Sequence, residues 1–225
     1  AATIRLKIGR YEEAASRFEE LERTAEVKEN VAAARIGLLR CYDRAGDCAR
    51  ALTAASKIID DAAMQNEIRN DAVLVSARCR LAAGEFKPAK ELFSELAKRT
   101  NSEITAESRY SLALIEYKLM NYKESQRLAL EVQNQVPSYD FWVAKSFILL
   151  GDDYLAMNDT FQAKATYKSI VDNFMPAPED PEDLKAAALS KYEAIVSGER
   201  SAAGEELRRR RSALPVDSLE VNPIK

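Results

Sequence analysis

The sequence contains no histidine. Within its 225 residues that rules out a Ser-His-Asp or Cys-His catalytic site, a histidine-bearing zinc site and a histidine pH switch. It also lacks any apolar run near the roughly 18–20 residues that span a bilayer, and no charged start followed by an apolar stretch marks a secretory signal. Neither sign of charge dominates: 33 basic against 36 acidic side chains leave −3, so there is no net basic footprint for nucleic acid. Glycine and proline are sparse at seven each, and the three cysteines form no Cys-x-x-Cys pair. What remains is 47% apolar and 31% charged, a globular composition long enough for one extended or two ordinary domains. The first residue is Ala1 and a helical pattern is already under way. A fragment or processed product is therefore expected, and the missing signal carries no information on compartment.

The few glycines fall at regular intervals. Tight turns occur at Gly9-Arg10-Tyr11, Gly46-Asp47-Cys48, Gly84-Glu85-Phe86, Met120-Asn121-Tyr122 and Asn158-Asp159-Thr160, so positions 9, 46, 84, 120 and 158 are spaced by 37, 38, 36 and 38. Each turn is followed by a small residue (Ala14, Ala51, Ala89, Ser125, Ala163). Four positions later come Phe18, Ala55, Phe93, Ala129 and Tyr167, and three beyond those Leu21, Ile58, Leu96, Val132 and Ile170. Spacings of four and three place each set on one helix face, the small residue permitting close approach of the preceding helix. Gly or Asn at the turn supplies the left-handed conformation that ends the first helix. An isolated Gly151 inside a helix costs about 1 kcal/mol against alanine and needs a packing reason.

These features resemble the tetratricopeptide repeat family, on Leu150-Gly151-Asp152-Asp153-Tyr154 with Ala163 and Tyr167, Gly84-Glu85-Phe86 with Ala89 and Phe93, and Gly9-Arg10-Tyr11 with Ala14 and Phe18. The resemblance implies an all-α, right-handed superhelical solenoid of stacked helix-turn-helix repeats. It extends over residues 1–175, about five repeats with the first truncated. The spacing exceeds the usual ~34 residues, which implies an added helical turn or longer links. In that respect the chain is similar to the repeats of bacterial cell-envelope proteins such as the outer-membrane assembly lipoproteins and the Tol-Pal coordinator. A periplasmic or envelope location is favoured over the cytoplasm on that ground.

Three prolines, at 176, 178 and 181, interrupt the pattern. Residues 182–197 then read as a capping helix with Leu184, Ala188, Tyr192 and Ile195 on one face, as a solenoid's exposed last face requires. The tail, 198–225, is expected to be partly helical and otherwise disordered. Its Arg208-Arg209-Arg210-Arg211 run follows Glu205 and Glu206 at intrahelical pairing distance, so a solvated helical face is preferred over nucleic-acid binding.

The remaining candidates for chemistry have plain structural readings. Cys41, Cys48 and Cys79 are expected to be small buried residues; a Cys41–Cys79 disulfide between equivalent repeat positions and reactive or metal-binding thiols are the alternatives. Asp60-Asp61, Asp152-Asp153 and the acidic run at 179–183 have neither calcium-loop nor glycosidase spacing and read as helix-end acidity. Trp142, with Tyr139 and Phe141 before it, is either core packing or a binding anchor. No catalytic residue, metal ligand or cofactor is expected.

What is left is the concave surface, which the resemblance assigns to the first helix of each repeat. Helical phase places Arg40, Arg44, Arg78, Tyr110, Lys118 and Asp152 there, and the arginines suggest an acidic or carboxylate-bearing peptide unless they pair with neighbouring repeats. The expected function is a non-enzymatic protein-protein scaffold binding a peptide or partner domain, in bacterial envelope assembly. The alternative is a regulatory or recruiting region of a larger enzyme or signalling protein. Self-association is expected through the truncated end at 1–7, and no nucleic acid.

Overall fold

The computed structural model describes residues 10–212, and the turn at Gly9 and the 1–7 end lie outside them. Among the described residues there are ten helices and no strand. They are α1 (Tyr11–Thr24), α2 (Lys28–Ala45), α3 (Cys48–Ile59), α4 (Asn66–Ala82), α5 (Phe86–Arg99), α6 (Glu103–Lys118), α7 (Tyr122–Gln133), α8 (Asp140–Ala156), α9 (Thr160–Asn173) and α10 (Leu184–Ser212).

Four hairpins, α2/α3, α4/α5, α6/α7 and α8/α9, share one turn geometry. Gly46, Gly84, Met120 and Asn158 all hold positive φ, between 62° and 76°. In each case the next residue's N–H reaches back to the carbonyl five residues earlier: Asp47 to Tyr42, Glu85 to Arg80, Asn121 to Glu116 and Asp159 to Tyr154, at 2.8–2.9 Å. That is the Schellman closure, which satisfies carbonyls the helix end leaves open. Asp47 and Asp159 then cap the following helix, accepting from the N–H of Arg50 and Gln162 at 3.0 Å.

Every helix packs on its neighbours in sequence. In addition α2 meets α4, α4 meets α6, α6 meets α8 and α8 meets α10, whereas α3, α5, α7 and α9 do not meet one another. The even-numbered helices therefore converge into an inner layer and the odd-numbered ones fan outward, which makes a curved helical-repeat solenoid. The long period lies in the inner helices, which run 16–18 residues against 12–14 in the outer ones, about one extra turn.

The core is a file of apolar clusters between the layers. Its regular element is the small residue after each turn: Ala14, Ala51, Ala89, Ser125 and Ala163 are all fully buried. The aromatic column sits against the inner helices. A methyl group at Gly37 would overlap the Phe18 ring, and one at Gly151 would overlap the Tyr167 ring. Beyond the proline-rich link, α10 takes the place of a further inner helix. It packs on α9 and α8 and buries Leu184 and Ala188, with Tyr192 and Ile195 partly covered. It continues to Ser212, fifteen residues past position 197. Arg208 and Arg209 lie on its exposed surface.

The cysteines depart from expectation. Cys48, first residue of α3, is joined to Cys79, in the last turn of α4, by a disulfide with α-carbons 5.3 Å apart. Equivalent positions such as Cys41 and Cys79 are held a repeat apart. The antiparallel neighbour instead brings one helix's start to the other's end. Cys41 is a buried free thiol, its pKa pushed up to about 11, first by burial and then by Glu12.

Candidate functional site: the inner helical face

One stripe of each inner helix, at three- and four-residue spacing, carries the polar groups of the concave side: Arg40 and Asp43 on α2, Asp71 and Arg78 on α4, Glu103, Glu107 and Tyr110 on α6, Trp142, Lys145 and Asp152 on α8. These residues link helix to helix rather than standing apart.

The arginine end is matched by carboxylates. Arg78 makes a two-pronged ion pair with Glu107, itself 6% exposed, and reaches Asp43 at 3.4 Å, so one guanidinium ties α2, α4 and α6 together. The pairing answers the cost of burying Glu107, since a buried carboxylate is tolerated only when paired and hydrogen-bonded. Asp71 lies between Arg40 and Arg78; burial raises its pKa and the two arginines pull it back down. These groups line a cleft of about 170 Å³ between α2 and α4, with Ile36 and Leu74 at its apolar wall. Arg44 and Lys118 are exposed and make no ion pair among the described residues.

Farther along, the face becomes aromatic. The Tyr110 ring lies 5.6 Å from that of Trp142, which in turn meets Phe141 edge-on at 5.1 Å. Trp142 Nε1 donates to Glu103 at 3.1 Å. Trp142 is thus half-buried between α6 and α8, part of the inner surface rather than of an apolar cluster. Burial and the nearby charges of Glu182 and Asp152 push the Tyr110 hydroxyl pKa upward.

At the far end, Asp152 accepts from the Tyr167 hydroxyl at 2.6 Å and from Lys191 of α10 at 2.7 Å. Its neighbour Asp153 is fully buried, with Oδ2 accepting from Ser125 Oγ at 2.8 Å and Oδ1 without a partner. Burial raises its pKa to about 7, against the Ser125 hydrogen bond and aided by Asp152. The helix-end reading fails for this pair and for Asp60-Asp61, because both lie at helix C-terminal ends, where the macrodipole disfavours negative charge. Side-chain partners hold Asp61, Asp152 and Asp153 instead: Asp61 accepts from Arg35 at 3.0 Å. The sequence signal for the Asp153 contact was Ser125, the one hydroxyl in the column of small residues.

Of the expected concave residues, the structure brings Arg40 and Arg78 to one cleft and sets Tyr110 and Asp152 in separate clusters farther along. Glu107, Lys145 and Lys191 join them and were not singled out from sequence, because each acts through a partner about one repeat away; Glu182, read from sequence only as part of the acidic run at 179–183, pairs with Lys145. Among the described residues no group of histidine, cysteine or acidic side chains could hold a metal ion.

The hairpin geometry has a counterpart among known families. Residues 1–67 and 142–174 match models described as tetratricopeptide repeat. The two stretches are similar to that repeat. The hairpins between them, α4/α5 and α6/α7, keep the same turn and the same buried small residue. Among solved structures the chain is similar to the crystal structure of BtubC (BKLC) from P. vanneervenii, with a TM-score of 0.58 and 17% identity over 100% of this chain and 98% of that one. At that identity the likeness speaks to the fold alone. No curated protein matches the chain.

Proposed function

We propose that this chain is a non-enzymatic scaffold that holds a peptide or a partner domain along its inner face. The observation that carries the reading is the inner layer itself: successive helices present one aligned polar and aromatic stripe on a curved surface, the arrangement by which helical repeats bind extended partners. Within that reading Arg40, Arg44, Arg78, Tyr110, Lys118 and Asp152 are contact residues. Arg78, committed to Glu107 and Asp43, serves mainly to fix the spacing of the helices. An extracytoplasmic setting such as the bacterial envelope is supported by the Cys48–Cys79 disulfide, since such bonds persist in oxidising compartments.

Panning a peptide library against the chain tests this. Selected peptides are expected to lose at least about tenfold in affinity, some 1.4 kcal/mol, on Arg40→Glu with Lys118→Glu, and to be unaffected by Lys87→Glu on the outer helix α5. Peptides sensitive to the outer change alone would overturn the assignment.

A further inference from the structure

The inner face carries an aromatic enclosure that already holds a cation. Lys145 Nζ lies 5.4 Å from the ring centroid of Tyr110, 5.4 Å from that of Phe141 and 5.6 Å from that of Trp142. All three are inside the ~6 Å range over which an ammonium is attracted by a ring face. The rings come from two inner helices, Tyr110 from α6 and the others from α8, so the enclosure exists only where the repeats stack. Glu182, ahead of α10, accepts from Lys145 and completes the shell. Glu103 holds Trp142 in place.

The occupant is the chain's own side chain, and the charge around it is not balanced. Glu103 and Glu182 set two carboxylates against the one ammonium of Lys145, whereas Asp43 and Asp71 of the α2/α4 cleft meet two guanidiniums. Glu182 is about half exposed, so the shell opens to solvent on that side. Fixed rings, surplus negative charge and a displaceable internal ammonium are the elements of a site for a second cation.

Resting on the scaffold reading, we propose that Tyr110, Phe141 and Trp142, with Glu103 and Glu182, form a recognition pocket for a lysine side chain of a basic peptide partner, with Lys145 filling the pocket until the partner displaces it. The ligand class is then cationic, the reverse of what the arginines of the inner face suggest.

Trp142 is the chain's one tryptophan, so its fluorescence reports the pocket directly. The test is a titration of the full chain with an end-capped Gly-Lys-Gly tripeptide, with Gly-Glu-Gly as the control at equal ionic strength. In wild type the lysine peptide competes with Lys145 and binds weakly. Lys145→Met keeps the apolar stem but removes the ammonium, and is expected to tighten binding of the lysine peptide by at least about tenfold, as freeing a largely occupied site does. Tyr110→Leu in the Lys145→Met background is expected to abolish the gain. Should Lys145→Met not unfold cooperatively, Lys145→Gln takes its place. An unchanged affinity in the Lys145 variant, or an equal response to Gly-Glu-Gly, overturns the pocket. If the lysine peptide fails while library peptides still depend on Arg40 and Lys118, the pocket falls and the scaffold stands.

Discussion

Gly151 and Asp153 sit two positions apart on α8 and show how far a residue's worth depends on its neighbour across the hairpin. Helix propensity alone predicts that Gly151→Ala stabilises by about 1 kcal/mol. The Tyr167 ring occupies the space of that methyl group, and overpacking of a filled core costs about 1–3 kcal/mol. The expected net result is a loss of up to about 2 kcal/mol, read as a lower urea midpoint; a higher midpoint would show that the ring gives way. Asp153 makes a prediction in pH. Its folded pKa of about 7 lies above the ~3.9 of an unfolded aspartate, so between these values the native state binds the extra proton. The stability it contributes is present at low pH and lost as pH rises through 7. Asp153→Asn, which keeps an acceptor for Ser125, is therefore expected to gain on wild type by about 1–3 kcal/mol on going from pH 5 to pH 8. Chemical denaturation of both proteins at each pH checks this, the difference cancelling other titrations.

At the scale of the element, the recurring unit is a helix end. Four turns share one backbone shape, yet only Gly46 and Gly84 are glycines; Asn158 is a tolerated substitute and Met120 is not. A side chain in the left-handed region costs about 1–2 kcal/mol, and glycine's extra freedom in the unfolded chain returns roughly half of that. Met120→Gly is thus expected to stabilise by about 0.5–1 kcal/mol, measured as a rise in denaturation midpoint. Gly46→Ala, where a Cβ meets no atom, is expected to destabilise by a similar amount through backbone strain alone. The turns were legible in the sequence because their geometry is local. Met120 was legible only through its register with its neighbours, since methionine has no turn preference of its own. The extra length of the period was legible as a number, but its placement in the inner helices followed from where the caps closed.

Across the whole molecule the disulfide is the one covalent tie between repeats. It closes a loop of 31 residues, for which chain entropy gives about 3–4 kcal/mol. Reduction, or Cys48→Ser, is expected to lower stability by about 2–4 kcal/mol, and thiol counting in denaturant should find one reactive cysteine before reduction and three after. The candidate site was half legible: helical phase put Arg40, Arg78, Tyr110 and Asp152 on the inner helices, but not the partners that neutralise Arg78 or the lysine seated among the rings. The sequence by itself determined the repeat, its period, the buried columns and the turns, because each depends on residues within one hairpin whose spacing is fixed by 3.6 residues per turn. Tertiary structure alone decided which cysteines meet, which carboxylates are buried and what the inner face offers a ligand. Those contacts join residues about a repeat apart, and their distances are set by how hairpins stack rather than by any pattern along the chain.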